Sequence, residues 1–172
     1  MTEHDIHTVA AHGEHTTRGV PNGASSLTPF LTLPRAKEAV EFYRDVFGAR
    51  VVDVVEMGDS VVHAELDFGN GRLQLGEPNG AYGLVPAPAG EGDCYSLGLY
   101  REDADAVVRR AEAAGAIIRE PLSTFVSGDR FARIRDPFGV RWSIMTRVED
   151  ISEEESTRRV SAWAETQNPP NN

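Results

Sequence analysis

The same succession of strands and one helix occurs twice along this chain, in residues 28–75 and again in residues 96–145. In each copy a short apolar strand precedes a helix that ends at a glycine, Gly48 or Gly115, and three further strands follow. The period is about half the length of a domain, which excludes a solenoid. The sequence therefore predicts an α+β fold built from paired βαβββ modules.

The segments outside the two copies have a different composition. The first residues hold few large apolar side chains and four of the five histidines, so we expect a disordered, solvated tail. The connection between the copies is rich in proline and glycine, and is either a plain linker or a lid over a site. The predicted organisation is a tail at 1–26, a domain at 27–149 with modules 27–77 and 95–146 joined by a linker at 78–94, and a C-terminal helix and tail at 150–172.

The C-terminal helix has its own sequence signals. Ser152 and Glu155 form a capping box, and acidic residues crowd the first turn, where the helix dipole favours them. Val160 and Trp163 mark the side of this helix that we expect to face inward.

Composition limits the class of protein. The 172 residues are 40% hydrophobic, include one cysteine and carry a formal net charge of −10. These values predict one domain without internal disulfides, and the acidic balance argues against a nucleic-acid partner. The charge is compatible with a cationic ligand or with solubility alone. No apolar run suggests a membrane span or a secretory signal, so we expect a cytoplasmic protein.

Four stretches carry a resemblance to a known superfamily. They read AVEFYRDVFGA at 39–49, HAEL at 63–66, GDRFARIRDPFGVRWSI at 128–144 and VEDISEEE at 148–155. The sequence resembles the vicinal oxygen chelate superfamily, and within it the PhnB-like glyoxalase/bleomycin resistance protein branch. The resemblance implies that the two modules form a curled mixed sheet around a cavity, and that the partner is a second copy in a homodimer.

The resemblance also implies where a metal would be bound. Metal-bearing members carry ligands on the first and last strand of each module, and these positions fall on Thr28, Gln74, Ser96 and Ser143. Neutral hydroxyls bind transition metals weakly, and Gln74 is the one plausible ligand among the four. We therefore expect no metal and no cofactor.

His63 and Glu65 are the candidate catalytic residues. They are two apart on one predicted strand, so both face the same side, which the resemblance makes the cavity side. Three interpretations stay open: the start of a metal site, a hydrogen-bonded imidazole–carboxylate pair with a structural role, or a pair that transfers protons or clamps a ligand.

Strand alternation, combined with the resemblance, selects the candidate ligand-binding residues. Aromatic rings among them could stack on a planar or sugar-like ligand, and the arginine could pair with Glu65 or bind an anionic group. Trp142 should face the helices and belong to the core. The candidates are Thr28, Phe30, Thr32 and Gln74 in the first module, and Ser96, Tyr100, Phe131, Arg133, Ser143 and Met145 in the second.

Two classes of function fit these features. The first is a metal-independent protein that binds a small molecule, such as an antibiotic or a metabolite, without turnover. The alternative is a glyoxalase-like lyase or isomerase, or a dioxygenase, acting on a small carbonyl or aromatic substrate. It would work without metal through His63 and Glu65, or with a metal.

Overall fold

The computed structural model describes residues 9–88, 90 and 92–167. These residues divide into two compact units, called here the N-terminal unit (9–40 and 48–86) and the C-terminal unit (41–47, 87–88, 90 and 92–167). In the part of the chain described, no helix is both long enough and apolar enough to cross a bilayer.

The N-terminal unit contains a four-stranded mixed sheet with the strand order β3-β6-β5-β4. Its first strand runs parallel to β6, and the other neighbours are antiparallel. The elements are β1 (Thr16–Thr17), β2 (Val20–Pro21), β3 (Phe30–Thr32), α1 (Ala36–Asp45), β4 (Arg50–Met57), β5 (Ser60–Asp67), β6 (Arg72–Gly76) and a 3₁₀ helix (Gly80–Tyr82). The residues of α1 from Glu41 onward belong to the C-terminal unit.

The C-terminal unit repeats this topology. Its four-stranded sheet has the order β7-β10-β9-β8, with β7 parallel to β10 and the other neighbours antiparallel. The elements are β7 (Leu97–Tyr100), α2 (Ala104–Ala113), β8 (Ile117–Thr124), β9 (Asp129–Arg135), β10 (Arg141–Arg147) and α3 (Glu153–Gln167). The predicted α+β class and the duplicated strand–helix–three-strand pattern are therefore confirmed.

Glycine ends the first helix of each repeat, as the sequence predicts. Gly48 and Gly115 have φ angles of +71° and +95°, a conformation that residues with a Cβ atom rarely adopt. Each chain reversal therefore lies directly after the last apolar residue of its helix, and the next strand can begin.

Apolar residues on one face of each sheet form the cores. In β9 and β10 the buried apolar side chains are Ala132, Ile134, Trp142 and Ile144, each exposing 3% or less of its surface. Trp142 is thus a core residue, as predicted. In β5 the buried set is Val61, Ala64 and Leu66, which departs from strict alternation. The reason is a β-bulge at Val62, where the pairing moves from Val55–His63 to Glu56–Val61.

Residues 9–26 contain a regular element that the sequence analysis did not foresee. The strands β1 and β2 form a hairpin whose two connecting residues, Arg18 and Gly19, have φ angles of +51° and +81°. Positive φ at both central positions is the geometry of the tight turn that matches strand twist. The expected disordered tail therefore contains a hairpin of β1 and β2 in its described part. His4 and His7 lie outside the described residues.

Three further boundaries differ from the expectation. The connection at 78–94 holds the 3₁₀ helix, which Asn79 caps by accepting a hydrogen bond from the amide of Ala81 (3.0 Å). Strand β8 continues through Pro121 to Thr124, although proline lacks the N–H group that a central strand would need. It is an edge strand with irregular register, where a missing N–H is tolerated. Strand β3 begins at Phe30, so Thr28 precedes it.

Candidate functional site

A cavity of about 420 Å³ lies in the C-terminal unit, between the sheet and helix α3. We call it the aromatic cavity, because its walls include the rings of Phe125, Phe131 and Trp163. The other lining residues are Glu120, Ser123, Ser127, Asp129, Arg133, Ser143, Met145 and Val160.

The alternation of β9 and β10 places the sheet residues in this cavity. Phe131 and Arg133 lie opposite Met145 and Ser143 across the two strands. The residues between them along each strand are buried in the core, on the opposite face. Four of the sequence-predicted ligand-binding residues are thereby brought together.

The three rings have defined mutual orientations. The Phe125 ring lies edge-on to both neighbours, with centroid distances of 6.1 Å to Phe131 and 4.9 Å to Trp163 and interplanar angles of 81°. The guanidinium carbon of Arg133 is 5.4 Å from the Phe131 centroid, within cation–π range. Edge-to-face contacts keep the rings in place.

Asp129 is a buried carboxylate at the cavity that already has partners. It accepts hydrogen bonds from the Ser127 hydroxyl (2.8 Å) and the Tyr100 hydroxyl (3.2 Å), and it is 2.9 Å from the Arg147 guanidinium. Tyr100, a predicted stacking residue, does not line the aromatic cavity. Its hydroxyl donates to Asp129 instead.

Arg133 pairs with Glu120, the residue across from it on β8. Glu65, the other partner considered from the sequence, is hydrogen-bonded within the N-terminal unit to Arg72 and Gln74. The pattern of β8 does not indicate Glu120 as the partner of Arg133, because Pro121 follows it directly and the register of the strand is irregular on both sides of Glu120.

A second, polar cavity of about 450 Å³ adjoins the aromatic one, because both are lined by Arg133 and Ser143. We call it the polar groove. Its remaining lining residues are Asp93, Cys94, Tyr95, Ser96 and Arg141. The hydroxyl oxygens of Ser96 and Ser143 face each other at 3.5 Å.

Asp93 is held beside the groove by two arginines. Its side chain is buried, with distances of 3.6 Å to the Arg135 guanidinium and 3.4 Å to that of Arg141. Arg135 also donates a hydrogen bond to the carbonyl of Gly90 (2.8 Å), which fixes the segment that precedes β7. Partial burial raises the pKa of Tyr95.

The sequence-predicted residues of the N-terminal unit lie on its sheet. Glu65 accepts a hydrogen bond from the Gln74 amide (2.9 Å) and another from Arg72. These two hydrogen bonds, led by that from Gln74, lower the pKa of Glu65. His63 has a different neighbour: its Nδ1 is 3.8 Å from Asp53, and its ring is 6.3 Å from that of Phe30.

The hydrogen-bonded His63–Glu65 pair is therefore not formed. Gln74 is the direct cross-strand partner of Glu65, and Asp53 pairs with Glu65 on the other side of β5. Cross-strand neighbours are nearer than residues two apart along one strand. Thr28 bonds to Ser25 (3.2 Å between hydroxyls), and Thr32 pairs with Gly76 in the sheet.

The donor set does not fit the metal of the metal-bearing superfamily members. Among residues 9–88, 90 and 92–167, no three His, Cys, Asp or Glu side chains cluster as metal ligands would. Ser96 and Ser143 offer neutral hydroxyls, and Gln74 offers one neutral amide oxygen, since its amide nitrogen donates to Glu65. Zinc, nickel and iron prefer imidazole, carboxylate or thiolate.

The family model for the glyoxalase/bleomycin resistance protein/dioxygenase superfamily matches residues 27–144. The chain belongs to this superfamily. A relative in Mycobacterium tuberculosis strain H37Rv, the uncharacterized protein Rv0887c, is 28% identical over 162 residues, covering 88% of this chain and 92% of that protein.

Solved structures of other proteins share the fold. TioX from Micromonospora sp. ML1 is 28% identical, with a TM-score of 0.56 over 72% of this chain and 99% of TioX. The PhnB protein from Bacillus cereus, at 21% identity, shares the fold with a TM-score of 0.56 over 71% of this chain and 99% of its own. The superfamily resemblance inferred from the sequence motifs is thus confirmed by the family model, and a PhnB protein is among the proteins that share the fold.

The sequence analysis missed part of the aromatic cavity. Phe125 lies in the turn after β8, where no strand pattern marks its direction, and Glu120 adjoins the proline. Trp163 could have been found, because the helical pattern already placed it with Val160 on the inward side of α3. Nothing in the pattern of α3 alone indicates which sheet it covers.

Proposed function

We propose that this protein binds a small organic molecule in the aromatic cavity, without a metal and without turnover, and thereby sequesters an antibiotic or a metabolite. The observation that carries the proposal is the group of three aromatic rings around about 420 Å³ of space in one unit. Cavities that hold small molecules have this size and combine apolar walls with a few polar groups.

The state of the polar residues supports binding over chemistry. Asp129 and Glu120 are each paired with an arginine, and Glu65 is held as a low-pKa carboxylate by Gln74 and Arg72. A general base works best with a pKa near the working pH. The charged form of Glu65 is stabilised by its hydrogen bonds, and Asp129 and Glu120 already have arginine partners, so all three carboxylates suit a structural or binding role better.

Trp163 supplies the direct test. Binding of a planar probe such as naphthalene-2-carboxamide should quench its fluorescence, because its ring lines the cavity and is 42% exposed. Trp163→Phe keeps an aromatic wall, so it should abolish the quenching while calorimetry still detects binding. Phe131→Ala should weaken binding about tenfold, since it removes one ring contact and its apolar area.

Tyr82→Ala is the matched control for the loss of an aromatic ring. Tyr82 is 80% exposed and belongs to the N-terminal unit. It should leave the affinity unchanged. Failure of naphthalene-2-carboxamide and of a panel of aromatic antibiotics to bind or to raise the melting temperature would reject the proposal.

An enzymatic role is the second candidate, and one observation favours it. His63 is partly exposed beside the carboxylate of Asp53, an arrangement that can orient an imidazole for proton transfer. A metal-dependent lyase or dioxygenase would be indicated by stoichiometric zinc, nickel or iron in the purified protein that is lost in Gln74→Ala. Such a result would overturn the metal-independent proposal.

We also propose a homodimer. Strand β4 is an edge of its sheet and exposes several apolar side chains, which sheet edges in monomers normally avoid. These are Val52, Val54, Val55 and Met57. The cytoplasmic location stays a prediction from the sequence.

A further inference from the structure

The aromatic cavity and the polar groove form two ends of one surface. They share Arg133 and Ser143, so a molecule whose rings lie among the aromatic side chains has a polar end near these two residues. Both cavities belong to the C-terminal unit. The chemical character of the groove therefore limits which ligands the aromatic cavity accepts.

The groove has more hydrogen-bond donors than its own contacts use. Arg133 reaches Glu120 through Nη1, and Arg141 reaches Asp93 through Nη1 at 3.4 Å, while a guanidinium carries five N–H groups. The side chains of Arg133 and Arg141 are 43% and 33% exposed, so their other N–H groups can meet a ligand. The Ser96 and Ser143 hydroxyls share one hydrogen bond at 3.5 Å, which leaves one further O–H donor for a ligand.

The local charge is opposite to that of the whole chain. Among the described side chains here, the guanidiniums of Arg133, Arg135 and Arg141 face the carboxylates of Glu120 and Asp93, which leaves one positive charge. The whole chain carries −10. A surplus of arginine beside paired hydroxyls is the chemistry that recognises a carboxylate or another oxyanion.

A cationic ligand would find no comparable partner. Asp93 is held by two arginines, and Asp129 by Arg147, Tyr100 and Ser127. Glu120 is paired with Arg133. An ammonium group in the cavity would have to displace one of these pairs, so the negative total charge does not select a cation at this site.

We propose that the ligand is a planar aromatic carboxylate, with its ring system in the aromatic cavity and its acid group on Arg133, Arg141 and the hydroxyls of Ser96 and Ser143. This rests on the proposed function and specifies the ligand class.

Three isosteric probes test this proposal on the full chain by calorimetry: naphthalene-2-carboxylate, naphthalene-2-carboxamide and (naphthalen-2-yl)methylammonium. The dissociation constant of the carboxylate should be lower than that of the carboxamide by about tenfold or more, because charge-assisted contacts are stronger than neutral ones. Arg141→Gln should remove this preference and leave the affinity for the carboxamide unchanged. Arg133→Lys, which keeps the charge but loses the planar fork, should retain part of it.

Arg44→Gln is the matched control for net charge. Arg44 lies on α1, pairs with the adjacent Asp45 and lines neither cavity. It should not alter the carboxylate preference. Melting temperatures within a few degrees of wild type confirm that each variant is folded.

The outcomes separate the two proposals. Equal binding of carboxylate and carboxamide, or tighter binding of the ammonium compound, would overturn the carboxylate proposal and leave small-molecule binding intact. A carboxylate preference that stays at its wild-type value in Arg141→Gln would also overturn it. Absence of binding by all three probes would count against both.

Discussion

At the residue scale, Asp136 joins three elements of the C-terminal unit. One of its oxygens accepts hydrogen bonds from the amides of Phe138 (2.9 Å) and Val140 (2.8 Å). The other accepts from the Tyr43 hydroxyl (2.7 Å) and the Trp142 indole N–H (2.9 Å). Burial raises the pKa of Asp136 and also that of Tyr43. All four donors require an acceptor in the carboxyl group.

Replacing Asp136 with Asn should lower the free energy of unfolding by about 2 kcal/mol, because an amide nitrogen would oppose the Trp142 N–H donor. Tyr43→Phe, which removes one hydrogen bond, should cost about 1 kcal/mol. Urea denaturation measures both. Asp45→Asn on the exposed side of α1 serves as the control, and its urea denaturation curve should stay close to that of wild type because exposed ion pairs contribute little. Equal stability of Asp136→Asn and wild type would contradict this account.

The turn that holds Asp136 and the burial of Trp142 could be predicted from the sequence, whereas the contact with Tyr43 could not. The run Asp136-Pro137-Phe138-Gly139 predicts a turn, and alternation predicts that Trp142 is buried. The partner Tyr43 lies 93 residues away on α1. Its position within the apolar stripe of that helix predicts burial but gives no indication of what its hydroxyl would meet.

At the element scale, α3 shows how local signals define a helix and leave its docking undefined. Ser152 accepts a hydrogen bond from the Glu155 amide (3.1 Å), as the predicted capping box requires. Glu155 in turn accepts from Arg158 and Arg159, and Arg159 also reaches Glu149 (2.7 Å). None of the α3 residues is fully buried, so the helix depends on Trp163 and on these surface contacts.

The pKa of Glu155, lowered to about 2 by hydrogen bonds from Arg158 and then Arg159, gives α3 a pH dependence. The usual value is 4.5, so the contribution of Glu155 to stability is complete above pH 4.5 and is lost as the pH falls toward 2. The NMR signal of the Trp163 indole should therefore move toward its unfolded position over this interval. In Glu155→Gln most of this movement should be absent.

Glu165→Gln is the control on the same helix, because Glu155 and not Glu165 accepts the hydrogen bonds from Arg158 and Arg159. In this variant the pH dependence of the Trp163 indole signal should follow that of wild type. If the Trp163 indole signal of Glu155→Gln moves with the same midpoint and amplitude as that of wild type, another group controls the acid response of α3.

Strand boundaries were predictable to the extent that alternation holds. The bulges at Val52 and Val62 shift the faces of β4 and β5, and they arise from pairing between strands that a single strand's pattern does not contain. Likewise, Pro121 stops a central strand but not an edge strand, and edge position is a property of the sheet.

At the scale of the whole molecule, the duplication predicted the topology of both sheets. The aromatic cavity was only half predictable. The residues on its sheet side, called its floor, belong to the repeat, whereas the opposite side comes from α3, which has no counterpart in the first copy. Strand alternation identifies floor residues such as Phe131 and Met145. It carries no information on an added helix.

The exposed apolar edge of β4 makes the oligomeric state testable. Light scattering should give about twice the chain mass of 18.8 kDa. Val54→Lys should shift the protein toward one chain mass, because a charge at the centre of an apolar contact must be desolvated. Ala113→Lys adds the same charge to an exposed position of α2 and should not change the mass. A wild-type protein of one chain mass would reject the dimer.

The exposed thiol at Cys94 gives this protein an intrinsic attachment point. It lines the polar groove, and the sequence contains no other cysteine. A thiol-reactive dye would therefore couple at one defined place, next to the arginines, without any engineered residue. The natural chain can thus be converted into an optical sensor of whatever occupies that groove.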